Sequence, residues 1–147
     1  MAEDKIVLTI KKVMPSVVSI VISKHLEDLE KEIPPELYPF LPMGPMGPHL
    51  QIPDALIDKR GMVKIGGGSG FVVQSEGLVL TNKHVISDPK AEYTVITDDS
   101  RKFLAEIVCR DPINDVAIIR IQAKNLQAVN LGDASRLELG QSVIAIG

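Results

Sequence analysis

Over residues 4–14, Ile6, Ile10, Val13 and Met14 recur on one helical face, a period that predicts a short amphipathic helix. Asp4 stands where an N-cap belongs, and Pro15 closes the segment. Residues 16–22 (SVVSIVI) are dense in β-branched side chains and too few for a typical helix, so they read as a first strand. From 24 to 64 no period is sustained. Seven of the ten prolines lie between Pro34 and Pro53, with Met and Gly interleaved, which predicts an insert or long loop outside the core. Strand-like runs resume at 70–74, 78–82, 93–97, 102–110 and 115–121, separated by turn signals at 75–77, 88–89, 98–100 and 111–114. Six short strands with tight connections predict an all-β fold, and a six-stranded antiparallel barrel hides the edges of such a meander. A polar connector over 122–141 leads to a last apolar run within 142–147. A buried-type strand with no downstream partner suggests a polypeptide that is cut rather than finished.

Composition narrows the classes. The 147 residues are 45% apolar and 24% charged, which fits one packed globular domain. A formal charge of -3 offers no electrostatic footprint for nucleic acid or an anionic membrane. One cysteine excludes an internal disulfide and a thiolate metal cluster. The run from Val13 to Ile22 is broken by Pro15, Ser16 and Ser19 and falls short of the roughly 18 apolar residues of a spanning helix. Glu3 and Asp4 precede the first apolar stretch and Lys11 and Lys12 follow it, the wrong order for a secretory signal. The expectation is a protein that stays inside, or one whose targeting segment has been removed.

His84 closes one strand run, and Asp115 opens another after a proline-containing turn. An imidazole can take a proton from a nucleophile when a carboxylate holds its other ring nitrogen in the right tautomer. Two strand ends meeting at one rim of a barrel would supply that geometry. By spacing alone, a strand-end histidine is more often structural or solvated, and an aspartate before an apolar run is often only a turn residue.

The surrounding blocks carry more. Gly68-Ser69-Gly70-Phe71-Val72-Val73, then 77–85 (GLVLTNKHV), 111–117 (DPINDVA), 131–135 (LGDAS) and 140–147 (GQSVIAIG) together resemble the HtrA/DegP family of trypsin-like serine proteases. The resemblance covers 15–22 and 66–147 and fades in the insert. It implies a six-stranded antiparallel trypsin-like β-barrel with a short N-terminal helix, followed at 142–147 by the first strand of a missing second barrel. It also implies His84 as general base and Asp115 as its orienting carboxylate, in the chain order His, Asp, Ser. The family's nucleophile lies in a Gly-Asn-Ser-Gly-Gly-Pro segment, and none of the nine serines here is followed by Gly-Gly. No nucleophile is therefore expected in this chain, nor the oxyanion hole that often contributes most to acyl-transfer catalysis. The fragment is expected to be inactive alone. Further implications are unfolded or misfolded polypeptides as substrates, a role in protein quality control, no cofactor, a homotrimeric full-length protein and a periplasmic or extracytoplasmic setting.

Other candidates are weaker. Ser69 precedes the histidine, lacks the glycine that would complete Gly-x-Ser-x-Gly, and matches the family's strand-opening block. Cys109 alternates with Phe103, Ala105 and Ile107, which predicts a buried, inert thiol. His25, His49 and His84 lie far apart without helical pairing or a Cys neighbour, so no metal site is expected. Gly44-Pro45-Met46-Gly47-Pro48-His49 supplies two collagen-like triplets, too few for a triple helix. The charged stretch Glu27, Asp28, Glu30, Lys31 and Glu32 reads as a solvated face. The insert has two readings: a disordered surface loop, or an adaptable apolar arm built on Leu37, Tyr38, Phe40, Leu41, Met43 and Met46 that reaches over the active site or a neighbouring subunit. A second function class, a non-catalytic interaction module pairing through 143–146, stands beside the protease reading. A third possibility is one half of a two-chain protease.

Overall fold

The computed structural model describes the backbone of residues 2–147 and the side chains from Asp4 onward. Helix α1 spans Ala2–Val13 and passes into a 3-10 turn, Met14–Ser16, with Pro15 in its first positions. Asp4 lies inside the helix rather than at its cap. Gln127 ties the helix end down by donating from Nε2 to the Lys12 carbonyl at 2.7 Å. Strand β1 (Val17–His25) follows, then a one-turn helix α2 (Leu26–Lys31) and a two-residue hairpin of β2 (Met43–Gly44) and β3 (Gly47–Pro48). The remaining strands are β4 (Met62–Gln74), β5 (Leu78–Thr81), β6 (Glu92–Ile96), β7 (Lys102–Arg110) and β8 (Ala117–Ile121). Six of them close into an antiparallel barrel in the order β1-β4-β5-β8-β7-β6.

Period-two alternation explains the barrel's inside. Val18 and Ile20 of β1, Val72 of β4, Val79 of β5, Tyr93 and Val95 of β6, and Ala117, Ile119 and Ile121 of β8 form one buried cluster. Closure leaves no long unpaired edge. No helix among the described residues is long and apolar enough to cross a membrane.

Three stretches differ from the sequence expectation. First, β1 runs on to His25 and β4 starts at Met62, so the expected 24–64 loop contributes its ends to the barrel. The glycine run 66–68 hides the first half of β4, because glycine weakens a strand signal. Between the strands, 26–61 carries short regular turns. It is anchored by Leu26 N–H to the Gly61 carbonyl at 3.0 Å and by a fork from Arg60 to Glu92 at 2.9 and 3.0 Å.

Second, Cys109 is exposed, not buried. The pairing of β7 with β8 slips between Ile107 and Cys109, and a one-residue bulge turns every later side chain to the other face. Third, 142–147 forms no strand. Val143 and Ile144 are exposed, and Gly147 lies against the Ser69 side chain.

Candidate active site

Two neighbouring strands place the site. β5 ends at Thr81, and its partner β8 begins at Ala117 directly opposite. The chain leaving β5 and the chain entering β8 therefore meet at the same rim, which brings His84 and Asp115 face to face. After Thr81 the chain turns through a 3-10 segment, Lys83–Ile86, that buries Val85 and Ile86. Val85 seats this turn on β4 where Gly68 leaves room. A Cβ at Gly68 would sit 2.7 Å from both Val85 methyls, so a larger residue there would push the histidine turn outward. Thr81, the last inward residue of β5, satisfies its buried hydroxyl by donating to the Ser69 carbonyl at 2.8 Å.

Asp115 is held at both carboxylate oxygens. The His84 backbone N–H donates to Oδ1 at 2.8 Å, and His84 Nδ1 meets Oδ2 at 2.5 Å. The His84 amide and then its ring hold the Asp115 carboxyl below the usual carboxylate range. The side chains are 71% and 49% exposed, so the pair faces solvent. Its electrostatics are moderated accordingly.

The loop before Asp115 is preset by an Asx turn. Asp111 Oδ1 accepts the amides of Asn114 at 2.7 Å and Ile113 at 2.8 Å, which lower its carboxyl's pKa from the ordinary value. Lys83 Nζ donates to the Asp111 carbonyl at 2.8 Å. From the other side Arg110 donates through Nε and Nη2 to the Ile86 carbonyl at 3.2 and 2.7 Å. The histidine turn and the aspartate loop are thus tied reciprocally.

With Nδ1 engaged by a carboxylate, the neutral ring carries its proton there and leaves Nε2 free as a base. Among the described residues no serine hydroxyl bonds to the His84 ring. Ser87 donates to the His84 carbonyl at 3.0 Å, and Ser69 lies within β4 opposite Ser19. His25 ends β1, and His49 sits 3.4 Å from Glu30. Among the described residues no three His, Cys, Asp or Glu side chains converge as a metal site would require.

Sequence reasoning misses one charged centre. Lys24, with its side chain 2% exposed, binds both Glu32 oxygens at 2.6 Å and Asp88 at 2.7 Å. It occupies the inward phase of Val18 and Ile20, where a lysine is rarely expected unless paired. Asp88 and then Glu32 raise its pKa, and Lys24 in turn lowers that of Asp88. The ion cluster fastens the start of the insert to the loop just after the histidine turn.

A closed six-stranded antiparallel barrel with a bonded histidine and aspartate at one rim defines a class, the trypsin-like barrel. The chain belongs to the trypsin-like peptidase domain family, whose model matches residues 68–147, more than half of its length. Over 80 residues, 54% of this chain, it is 45% identical to a probable periplasmic serine endoprotease DegP-like of Pseudomonas putida, covering 17% of that protein. A protein of the same description from Chlamydia muridarum is 42% identical over 80 residues, 54% of this chain and 16% of its own length. A third, from Pseudomonas fluorescens, is 35% identical over 125 residues, 85% of this chain and 25% of that relative. The chain therefore spans a quarter or less of these curated relatives.

Proposed function

We propose that this chain is the base-bearing barrel of a serine endopeptidase, with His84 as general base and Asp115 as the carboxylate that orients it. The observation that carries this reading is the pair of hydrogen bonds between Asp115 and one residue: Oδ1 accepts from the His84 amide and Oδ2 meets its ring. In the complete enzyme, His84 Nε2 accepts the proton of a serine hydroxyl as its oxygen attacks the scissile carbonyl. It then returns that proton to the leaving amine, while Asp115 stabilises the imidazolium. The serine and the oxyanion hole belong to a second barrel, in a Gly-Asn-Ser-Gly-Gly-type segment that this sequence does not contain, so the chain alone hydrolyses no peptide bond above background. Relatives described as probable periplasmic serine endoproteases support polypeptide substrates and an extracytoplasmic setting, and the HtrA/DegP resemblance narrows the substrates to unfolded or misfolded chains. Homotrimeric assembly of the whole protein completes the reading, which needs no cofactor or metal.

The test is labelling by an active-site serine probe. No stoichiometric label is expected on this chain. Mixing it with a serine-bearing second barrel should restore labelling of that barrel, and His84→Ala should remove it. Stoichiometric labelling of the chain by itself would overturn the assignment.

A second reading is favoured by the exposed Val143 and Ile144 in the unpaired tail: a non-catalytic module that adds this segment to a partner sheet. It predicts that a soluble monomer orders 142–147 only when a partner strand is supplied.

A further inference from the structure

We propose that Asn82 is a positioning residue for the pair, fixing the main chain of Asp115 so that both carboxylate oxygens stay aimed at His84. This rests on the reading of His84 and Asp115 as base and orienting carboxylate. The β5–β8 ladder stops at Thr81 and Ala117, so strand pairing does not extend to Asp115. Asn82 takes over at that point: its Nδ2 donates to the Asp115 carbonyl at 3.0 Å. Asp115 is thus gripped at three atoms by one short turn, its carbonyl by Asn82 and its two carboxylate oxygens by the His84 amide and ring, with the Lys83 amide also acting on the carboxylate.

Geometry makes the third grip consequential. A planar carboxylate can serve an amide and an imidazole at once only while its own backbone is fixed, and a small shift of the Asp115 main chain misaligns one bond or the other. Lys83 and Arg110 tie the same loops through the carbonyls of Asp111 and Ile86, and neither of these bonds touches Asp115. Asn82 is exposed, so burial does not explain its place. Its side chain is directed across the rim by the bond it makes.

The experiment reads the His84 tautomer by imidazole nitrogen NMR at about pH 8, where an ordinary imidazole is neutral. The unmutated chain should hold the proton on Nδ1, against Asp115. Asn82→Asp keeps the shape without the donor, and Asn82→Ala removes the side chain without adding charge. Each should shift the tautomer ratio roughly fivefold toward Nε2–H, the scale of one ordinary hydrogen bond, with the amide spectrum of Val79 and Ile119 unchanged. An unchanged ratio in either folded variant overturns the role of Asn82 and leaves the pair standing. An unmutated chain with its proton on Nε2, or an Asp115→Asn chain with the original ratio, overturns the pairing and the proposal with it. A measurement without substitution adds a second check: the Asn82 Nδ2 proton facing Asp115 should exchange with water roughly fivefold more slowly than its twin. Equal rates overturn the proposal.

Discussion

The Asp115 carboxylate owes its lowered pKa to two donors on His84, and that fixes the sign of its pH response. A carboxyl stabilised as the anion in the folded state contributes fully above its ordinary value, 3.8, and the contribution is lost as pH falls through the lower folded value. The pairing should therefore survive acidification past the ordinary Asp range, which a side-chain carboxyl carbon titration would show. A midpoint at or above the ordinary value would contradict it. Both members of the pair are legible through the family-like blocks that hold them, 77–85 ending just after His84 and 111–117 containing Asp115, whereas their spacing alone does not single them out. Asn82 does not stand out there, because a polar turn residue beside a histidine has no distinctive spacing. Alternation points Cys109 inward because it assumes an unbroken register, and the β7 bulge leaves no mark in composition.

Among the elements, the turn between β4 and β5 depends on one residue. Gly77 has φ +109°, and its missing Cβ faces the Ile121 carbonyl. Gly77→Ala should cost about 1–3 kcal/mol from backbone strain alone, with more from that overlap, read as a lower denaturation midpoint. An unchanged midpoint would mean the turn relaxes freely. Beside the Leu26–Gly61 and Arg60–Glu92 anchors, Lys24 fastens the start of the insert through Glu32 to Asp88. Asp88, with its lowered pKa, contributes above the ordinary Asp range and loses that contribution as pH falls through its folded value. Lys24, with its raised pKa, loses its contribution only as pH rises through its own folded value. Cleavage of the insert near Pro39 by an added protease should thus be slow at neutral pH and faster in acid, and Lys24→Met should make it fast throughout. Equal rates for both chains at neutral pH would contradict a fastening role. Nothing in the sequence announces this cluster: Asp88 lies 64 residues from Lys24, and a lysine at the end of an apolar strand reads as the strand's limit.

For the molecule as a whole, five of the six strands are visible because β-branched runs and turn residues alternate so regularly from 70 to 121, and the first because β-branched residues crowd 16–22. The barrel's true extent is obscured where glycines and prolines dominate. Stability should follow the cluster those strands bury. Ile119 is fully buried, and Ile119→Ala should cost about 2–5 kcal/mol through lost burial and the cavity left behind, without moving the rim that carries the pair. Substitutions in the exposed tail at Val143 or Ile144 should leave the stability within about 0.5 kcal/mol of the unmutated chain.

On the proposed reading, the Asp115 carboxylate makes His84 a competent base for a serine supplied from elsewhere. The most direct measurement is kcat for a peptide substrate when this chain, unmutated or carrying Asp115→Asn, is combined with a serine-bearing second barrel. Turnover is expected with the unmutated chain, and a fall of about 10⁴-fold with Asp115→Asn, the scale of losing the correct tautomer in a triad, in a variant that still folds. Turnover within a few-fold of the unmutated chain would contradict it.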